Sequence, residues 1–157
     1  MSYTGGVHQY GDRVHNGYDY YPRGINKTNV AFAKGNVLFA DPATGNLRLA
    51  TTGDKGPFYT AYNASLGSDP RQHCWATEGN WLVLENTTEL KPNALVVPIT
   101  GKVRDIGADV TTGVYGVYIG TVDMAAELTS NNVIQDTAAI GSKCVVVVNN
   151  IIRLPTA

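Results

Sequence analysis

The fold is decided by the stretch Asn36-Val37-Leu38-Phe39-Ala40-Asp41-Pro42-Ala43-Thr44-Gly45-Asn46-Leu47-Arg48-Leu49-Ala50. Two short apolar runs flank a polar segment in which proline sets the first backbone angle of a turn, and Gly45 suits a positive φ near its end. Leu47 and Leu49 alternate with polar residues, so that one face of this run would be buried. The stretch therefore predicts an antiparallel β-hairpin.

The rest of the chain repeats this pattern of short apolar runs between turn residues. Runs at 81–85, 94–99 and 114–119 are each bounded by Gly, Asn or Pro, and Pro98 inside its run predicts an edge strand or a bulge. Strand-forming residues (Val, Ile, Thr, Tyr, Phe, Trp) number 55, against 46 good helix formers. The sequence thus predicts an all-β fold, a compact β-barrel or β-sandwich of short antiparallel strands.

Three further segments refine this prediction. The run Cys144-Val145-Val146-Val147-Val148 is apolar throughout, which is typical of a strand buried on both faces. Asn149-Asn150 and the run 151–154 that follows predict a closing hairpin. Residues 123–128 are the single helical candidate and leave room for a turn or two, so we expect at most one short helix.

The first 29 residues differ in composition from the remainder. They contain five of the nine tyrosines but no Leu or Phe, so they cannot build a core of their own. We predict an extended N-terminal arm over 1–29 and a β-rich body over 30–157. The arm would lie on this domain or on a neighbouring subunit, and a tail without fixed contacts or a strand tucked against its own domain stays open. The candidate interface residues are Tyr3, Tyr10, Tyr18, Tyr20, Tyr21 and Arg23.

The charge of the chain restricts its partners. It has 157 residues, 12 basic and 13 acidic, and no two basic residues are adjacent, whereas nucleic acid binding needs clustered Lys and Arg. The longest apolar run is far shorter than a membrane span of roughly 18 residues. We therefore expect a soluble protein that binds neither nucleic acid nor membrane. The charged fraction of 16% is low, which indicates a surface partly covered by partners.

Signatures of catalysis are missing from the sequence. The segment before Val30 has no apolar core typical of a secretory signal, so Cys74 and Cys144 are expected to be reduced and buried. His73 and Trp75 flank Cys74, but neighbours on a strand point to opposite faces and form a poor nucleophilic pair. We expect no catalytic residues, no cofactor and no metal site, hence no enzyme. Trp75 and Trp81 could alternatively stack on sugars.

Four segments carry a resemblance to a known family. They are Lys34-Gly35-Asn36-Val37-Leu38-Phe39-Ala40-Asp41-Pro42-Ala43-Thr44-Gly45-Asn46-Leu47, Gly56-Pro57-Phe58-Tyr59-Thr60-Ala61, Lys91-Pro92-Asn93-Ala94-Leu95-Val96 and Gly101-Lys102-Val103. Together they resemble the head decoration, or cement, proteins of tailed bacteriophages. The resemblance covers about half of the chain in scattered pieces. It rests on the order of strands and turns and includes no catalytic motif.

The resemblance implies a structural virion protein made in the host cytoplasm. Such a protein forms a β-barrel or β-sandwich, is frequently a homotrimer, and binds the outside of an assembled capsid, where it clamps neighbouring subunits of the major capsid protein. The segment before Val30 does not match the family pattern, so whether it contacts the capsid, a sister subunit or its own domain stays open. The alternatives are a carbohydrate- or receptor-binding β module, another phage structural subunit of the tail or connector, and a small enzyme using Cys74.

Overall fold

The computed structural model describes residues 9–15, 23–26, 28, 30–67, 69–75, 79–122 and 133–154. These residues form strands and no helix, which confirms the all-β prediction, and the helical candidate 123–128 lies outside them. The strands are β1 (Arg13–His15), β2 (Arg23–Asn26), β3 (Val37–Ala40), β4 (Leu47–Leu49), β5 (Phe58–Ala61), β6 (Asp69–Trp75), β7 (Trp81–Glu85), β8 (Leu95–Ile99), β9 (Lys102–Asp105), β10 (Val114–Val122), β11 (Val133–Ile134) and β12 (Lys143–Ile151).

Two antiparallel sheets organise these strands. The larger sheet has the order β1-β7-β12-β10-β8-β9, with β11 paired to β10, and the smaller has the order β2-β6-β5-β3-β4. The main core lies between them, because Phe39 and Phe58 of the smaller sheet pack in one buried cluster with Leu84, Tyr115 and Val146 of the larger. Of the two architectures expected, the described strands form a sandwich rather than a closed barrel.

The hairpin predicted from residues 36–50 is confirmed as β3 and β4. Leu38 lies opposite Leu49, and the backbone N–H of Gly45 donates to the carbonyl of Asp41 at 2.6 Å. Gly45 has the expected positive φ of 74°. Leu47 is buried in a separate small cluster with Phe32 and Leu38, and Leu49 packs against that cluster. The alternation does therefore place both leucines on one apolar face.

Strand β12 lies in the middle of the larger sheet, between β7 and β10. Cys144 and Val146 belong to the core between the sheets, whereas Val145 belongs to a second buried cluster on the opposite face. The prediction that this run is buried on both faces is confirmed. Adjacent residues can both be buried because each face of the sheet is covered.

Two predictions about strand ends were wrong. Asn149-Asn150 does not turn into a closing hairpin, because β12 continues to Ile151, which pairs with Val114 of β10. The irregularity is instead a bulge in the ladder, with Asn150 at a φ of 46°. Pro98 marks neither an edge strand nor a bulge, since β8 lies between β10 and β9 and its pairing with β9 has no register shift. Its ladder to β10 covers only Leu95 and Val96, so the missing N–H of proline is not needed on that side.

Glycine within β10 permits close packing of two strands. A Cβ atom at Gly116 would lie 2.3 Å from the carbonyl oxygen of Val147 in β12. That distance is far below van der Waals contact, so any side chain here would push the two strands apart. Gly116 therefore fixes how closely β10 approaches β12.

The far edge of the larger sheet is covered by the chain itself. Val103 of β9 forms a single parallel bridge with Asn86, just after β7, and the N–H of Thr87 donates to the Val103 carbonyl at 2.8 Å. The N–H of Asp105 donates to the hydroxyl oxygen of Thr88 at 2.8 Å. These bonds satisfy edge groups that would otherwise be open to another strand.

A side-chain amide joins the two sheets. The N–H of Phe58 in β5 donates to Oδ1 of Asn150 at 2.9 Å, and Nδ2 of Asn150 donates to the Phe58 carbonyl at 2.8 Å. The amide thus satisfies both backbone groups of Phe58, as a neighbouring strand would. Close by in the core, the hydroxyls of Thr60 and Tyr115 form a further hydrogen bond between the sheets.

We predict that Asn150→Asp destabilises the protein by about 2 kcal/mol at pH 7, because a carboxylate cannot donate to the Phe58 carbonyl and leaves it without that partner. The measurement is the urea dependence of unfolding. Asn93→Asp is the matched control, since Asn93 also has a positive φ of 72° but is exposed. The control should change stability by less than about 0.5 kcal/mol, and equal effects of the two substitutions would contradict the role of the amide.

Candidate interaction surfaces

Residues 23–26 of the N-terminal segment form β2 of the smaller sheet, whereas residues 9–15 pair with the larger sheet. The N–H of Gly11 donates to the Val83 carbonyl at 2.6 Å, and the N–H of Val83 donates to the Asp12 carbonyl at 2.9 Å. Val14 is buried in the cluster on the outer face of that sheet. Of the alternatives left open for the segment before Val30, contact with its own domain therefore holds for residues 9–15.

Among the tyrosines predicted to form an interface, the structure describes Tyr10. Its hydroxyl donates to the Gly141 carbonyl at 2.9 Å, and its ring packs against the cluster that contains Val14. Partial desolvation and the Glu85 carboxylate raise the pKa of Tyr10. Tyr10 thus holds the N-terminal segment against the turn before β12.

The side chains of the other candidate interface residues lie outside the described part of the structure. Tyr3, Tyr18, Tyr20 and Tyr21 lie outside the described residues. Arg23 begins β2, where its backbone pairs opposite His73 of β6. An intersubunit role for these residues stays a prediction.

The cysteine that the structure describes is not suited to nucleophilic chemistry. Cys144 is free and fully buried, and its thiol donates to the Leu84 carbonyl at 3.1 Å. Burial raises the pKa of Cys144 to about 12. The expectation of a reduced, buried thiol is confirmed at Cys144, whereas the side chain of Cys74 lies outside the described residues.

Trp81 contributes to packing on the outer face of the larger sheet. It is half-buried and packs against the outer-face cluster, beside Val83 and Val145. Stacking on a sugar needs an open ring face and stays a prediction for Trp81. Trp75 is the second candidate for such stacking, and its side chain, like that of His73, lies outside the described residues.

A polar cluster fixes the loop between β9 and β10. The Asp109 carboxylate pairs with Arg104 and accepts hydrogen bonds from the hydroxyls of Thr111 and Thr112 at 2.9 and 2.7 Å. Desolvation raises the pKa of Asp109, but the hydrogen bonds from Thr112 and Thr111 outweigh it and hold the pKa well below its usual range. The carboxylate therefore stays ionised and anchors the loop.

Large aliphatic side chains are exposed where the chain leaves β12. Ile151, Ile152 and Leu154 are about half to three-quarters exposed. The guanidinium of Arg153 donates to the Thr112 carbonyl, which brings the β9–β10 loop and its exposed Val110 to the same end of the sandwich. We call Lys55, Val110 and residues 151–154 the terminal surface.

A second exposed apolar feature lies on the smaller sheet's side. Residues 31–33 and 64–66 run side by side, joined by a bridge between Phe32 and Ser65, and line a groove of about 410 Å³. Leu66 at its rim is 77% exposed. We call this feature the alanine groove, after the exposed residues Ala31, Ala33 and Ala64.

Sequence reasoning did not identify either surface. It assigned residues 151–154 to a strand of the closing hairpin, and an apolar run of that length is equally compatible with burial and exposure. The low charged fraction of the sequence is the one feature that indicated a covered surface, and composition does not show where on the molecule such a surface lies.

Neither a protein-family model nor a curated protein matches the chain. Within the described residues, no group of three or more His, Cys, Asp or Glu side chains is placed to hold a metal ion. A helix long and apolar enough to cross a membrane is also missing from the part of the chain that the structure describes.

We predict that Cys144 resists alkylation in the native state. With a pKa of about 12, roughly one thiol in ten thousand is ionised at pH 8. Iodoacetamide at pH 8, followed by peptide mapping, should leave Cys144 unmodified in buffer and modify it fully in guanidinium chloride. Mapping separates Cys144 from Cys74, and rapid native labelling of Cys144 would show that its site opens.

We also predict a pH-dependent contribution from Asp109. Because its pKa is lowered on folding, the stabilisation is fully present above about pH 4, where the unfolded carboxyl is ionised, and is lost as the pH falls towards the folded-state value. Asp109→Asn should lower the free energy of unfolding by about 2 kcal/mol at pH 7. The difference in unfolding free energy between wild type and this variant should become smaller below about pH 4.

Urea unfolding at several pH values measures this difference. Asp136→Asn is the control, because Asp136 is an exposed carboxylate and should change stability by less than about 0.5 kcal/mol. A wild-type advantage over Asp109→Asn that does not vary with pH would contradict the electrostatic explanation.

Proposed function

We propose that the protein is a capsid decoration protein of a tailed bacteriophage, which binds the outside of the assembled capsid and stabilises it by clamping neighbouring subunits of the major capsid protein. The observation that carries the proposal is the terminal surface, where aliphatic side chains lie open at one end of a rigid sandwich. Exposed apolar surface of this kind marks a site of protein contact.

Two features of the molecule and one general principle support this function. The antiparallel sandwich is the architecture that the resemblance to decoration proteins implies. The described polar clusters, such as Arg104 with Asp109 and Arg48 with Asp54, are ion pairs that hold loops in place. A protein that acts by contact alone gains avidity from many copies on one particle, so each contact surface can be small.

The proposal extends to assembly and location. The protein acts on the capsid exterior, its partner is the major capsid protein, and it assembles as a homotrimer. The low charged fraction supports an assembled form, because a monomer normally relies on charge for solubility. Tyr3, Tyr18, Tyr20 and Tyr21 are the candidates for contacts between subunits.

The test of this function uses capsids of the tailed phage that encodes the chain, stripped of it by heat or low salt. Added back, the purified protein should co-sediment with the capsids and raise the temperature at which they release DNA, since a ligand of the assembled form stabilises that form. The failure of saturating protein both to bind and to raise this temperature would overturn the proposal. Binding to isolated tails instead would assign the protein to another structural role.

A further variant tests the first eight residues of the arm. Deletion of residues 1–8 leaves the described strand β1 and the Tyr10 contact in place. If Tyr3 contributes to the interface, this variant should fold normally but bind capsids more weakly. Light scattering of the full chain at micromolar concentration measures its molar mass in solution. A mass of three chains is expected, and a mass of one chain would contradict the trimer.

A further inference from the structure

We propose that the terminal surface binds an acidic, apolar segment of a partner protein. The inference deepens the proposed function and rests on it in one respect, namely that the partner is then a subunit of the capsid. It is argued from three features: the fixed backbone of the surface, its exposed aliphatic side chains and its unbalanced positive charge.

The backbone of the terminal surface is held in place. The N–H of Arg153 donates to the Lys55 carbonyl at 2.9 Å, and the side chain of Arg153 donates through Nε and Nη2 to the Thr112 carbonyl at 3.3 and 3.1 Å. The segment after β12 is therefore tied to two loops. Ile152 and Leu154, on either side of Arg153, are presented to solvent from a fixed frame, which lowers the entropy cost of binding.

The charge of this surface is positive. The Lys55 ammonium donates to the Thr111 carbonyl at 3.1 Å, and neither Lys55 nor Arg153 has a carboxylate partner among the described residues. The carboxylates on the same loops already have cationic partners, Asp109 with Arg104 and Asp54 with Arg48, a guanidinium that also pairs with Asp41 of the β3–β4 turn. Lys and Arg each carry more donors than these carbonyls use.

The combination selects the chemistry of the partner. Aliphatic side chains at the centre favour an apolar contact, and two cations beside them favour carboxylates at its margin, as is usual in protein interfaces. An anionic membrane or a nucleic acid would call for a larger basic cluster than these two residues provide. A polypeptide segment with alternating acidic and apolar residues fits the surface best.

The first experiment measures capsid binding by variants of Leu154, which is 76% exposed. Leu154→Asp and Leu154→Lys both remove the apolar contact, but only Asp repels an acidic partner. We expect Leu154→Asp to weaken binding at least about tenfold and Leu154→Lys to weaken it less. The matched control is Ile140→Asp, because Ile140 is 71% exposed in the turn before β12, belongs to neither named surface, and should bind as wild type does.

The outcomes separate the two proposals. Binding of wild type with no loss in Leu154→Asp would overturn this inference and leave the proposed function standing. Equal loss in the Asp and Lys variants would overturn the acidic character of the partner. Failure of the wild type to bind capsids would overturn the proposed function, and a second experiment then decides the inference without capsids.

That experiment titrates the isotopically labelled protein with a short capped peptide of alternating glutamate and leucine, and with its counterpart in which lysine replaces glutamate. The acidic peptide should shift the amide resonances of residues 53–56, 110–113 and 151–154, and the basic peptide should not. Equal shifts with both peptides, or none, would overturn the inference. Co-sedimentation with phosphatidylserine vesicles that Leu154→Asp abolishes would overturn it too, in favour of a membrane surface.

Discussion

A side-chain amide, that of Asn150, forms one of the joints between the two sheets. The side chain of Asn150 hydrogen-bonds to both backbone groups of Phe58. A bulge at the end of β12 thus supplies the hydrogen bonds that a neighbouring strand would supply, and it links the larger sheet to the smaller. The Phe58 ring is thereby held edge-on to Tyr115, with ring centroids 5.9 Å apart, at the centre of the core. The same bulge directs Arg153 towards Lys55, so the terminal surface also depends on this joint.

The parts of the fold that the sequence predicted are those set by local chemistry. The hairpin of β3 and β4 follows from Pro42, Gly45 and the alternating leucines, and the burial of β12 follows from its valines. Asn149-Asn150 has the composition of a turn, and only the pairing of Ile151 with Val114 shows that the strand continues. The prediction from Pro98 failed for a similar reason. How far β8 pairs with β10 depends on the tertiary structure, and the sequence around Pro98 does not show it.

The candidate site was less predictable than the fold. Composition indicated a covered surface and drew attention to tyrosines, but Tyr10 packs on its own domain. The exposure of Leu154 and Ile152 depends on where β12 ends and on which loops the chain meets there, and neither is encoded within a few residues. Interaction surfaces on a sandwich arise from such meetings of distant segments, whereas a catalytic motif is more often local in sequence.

The covered edge of β9 has a consequence for how copies of the protein can meet. Thr87 and Thr88 already satisfy backbone groups of Val103 and Asp105, so a neighbour cannot extend the sheet there by adding a strand. Copies of the protein at high local concentration are therefore protected at this edge from pairing into a continuous sheet. Recognition at this edge is left to side chains, which can discriminate between partners where a bare backbone cannot.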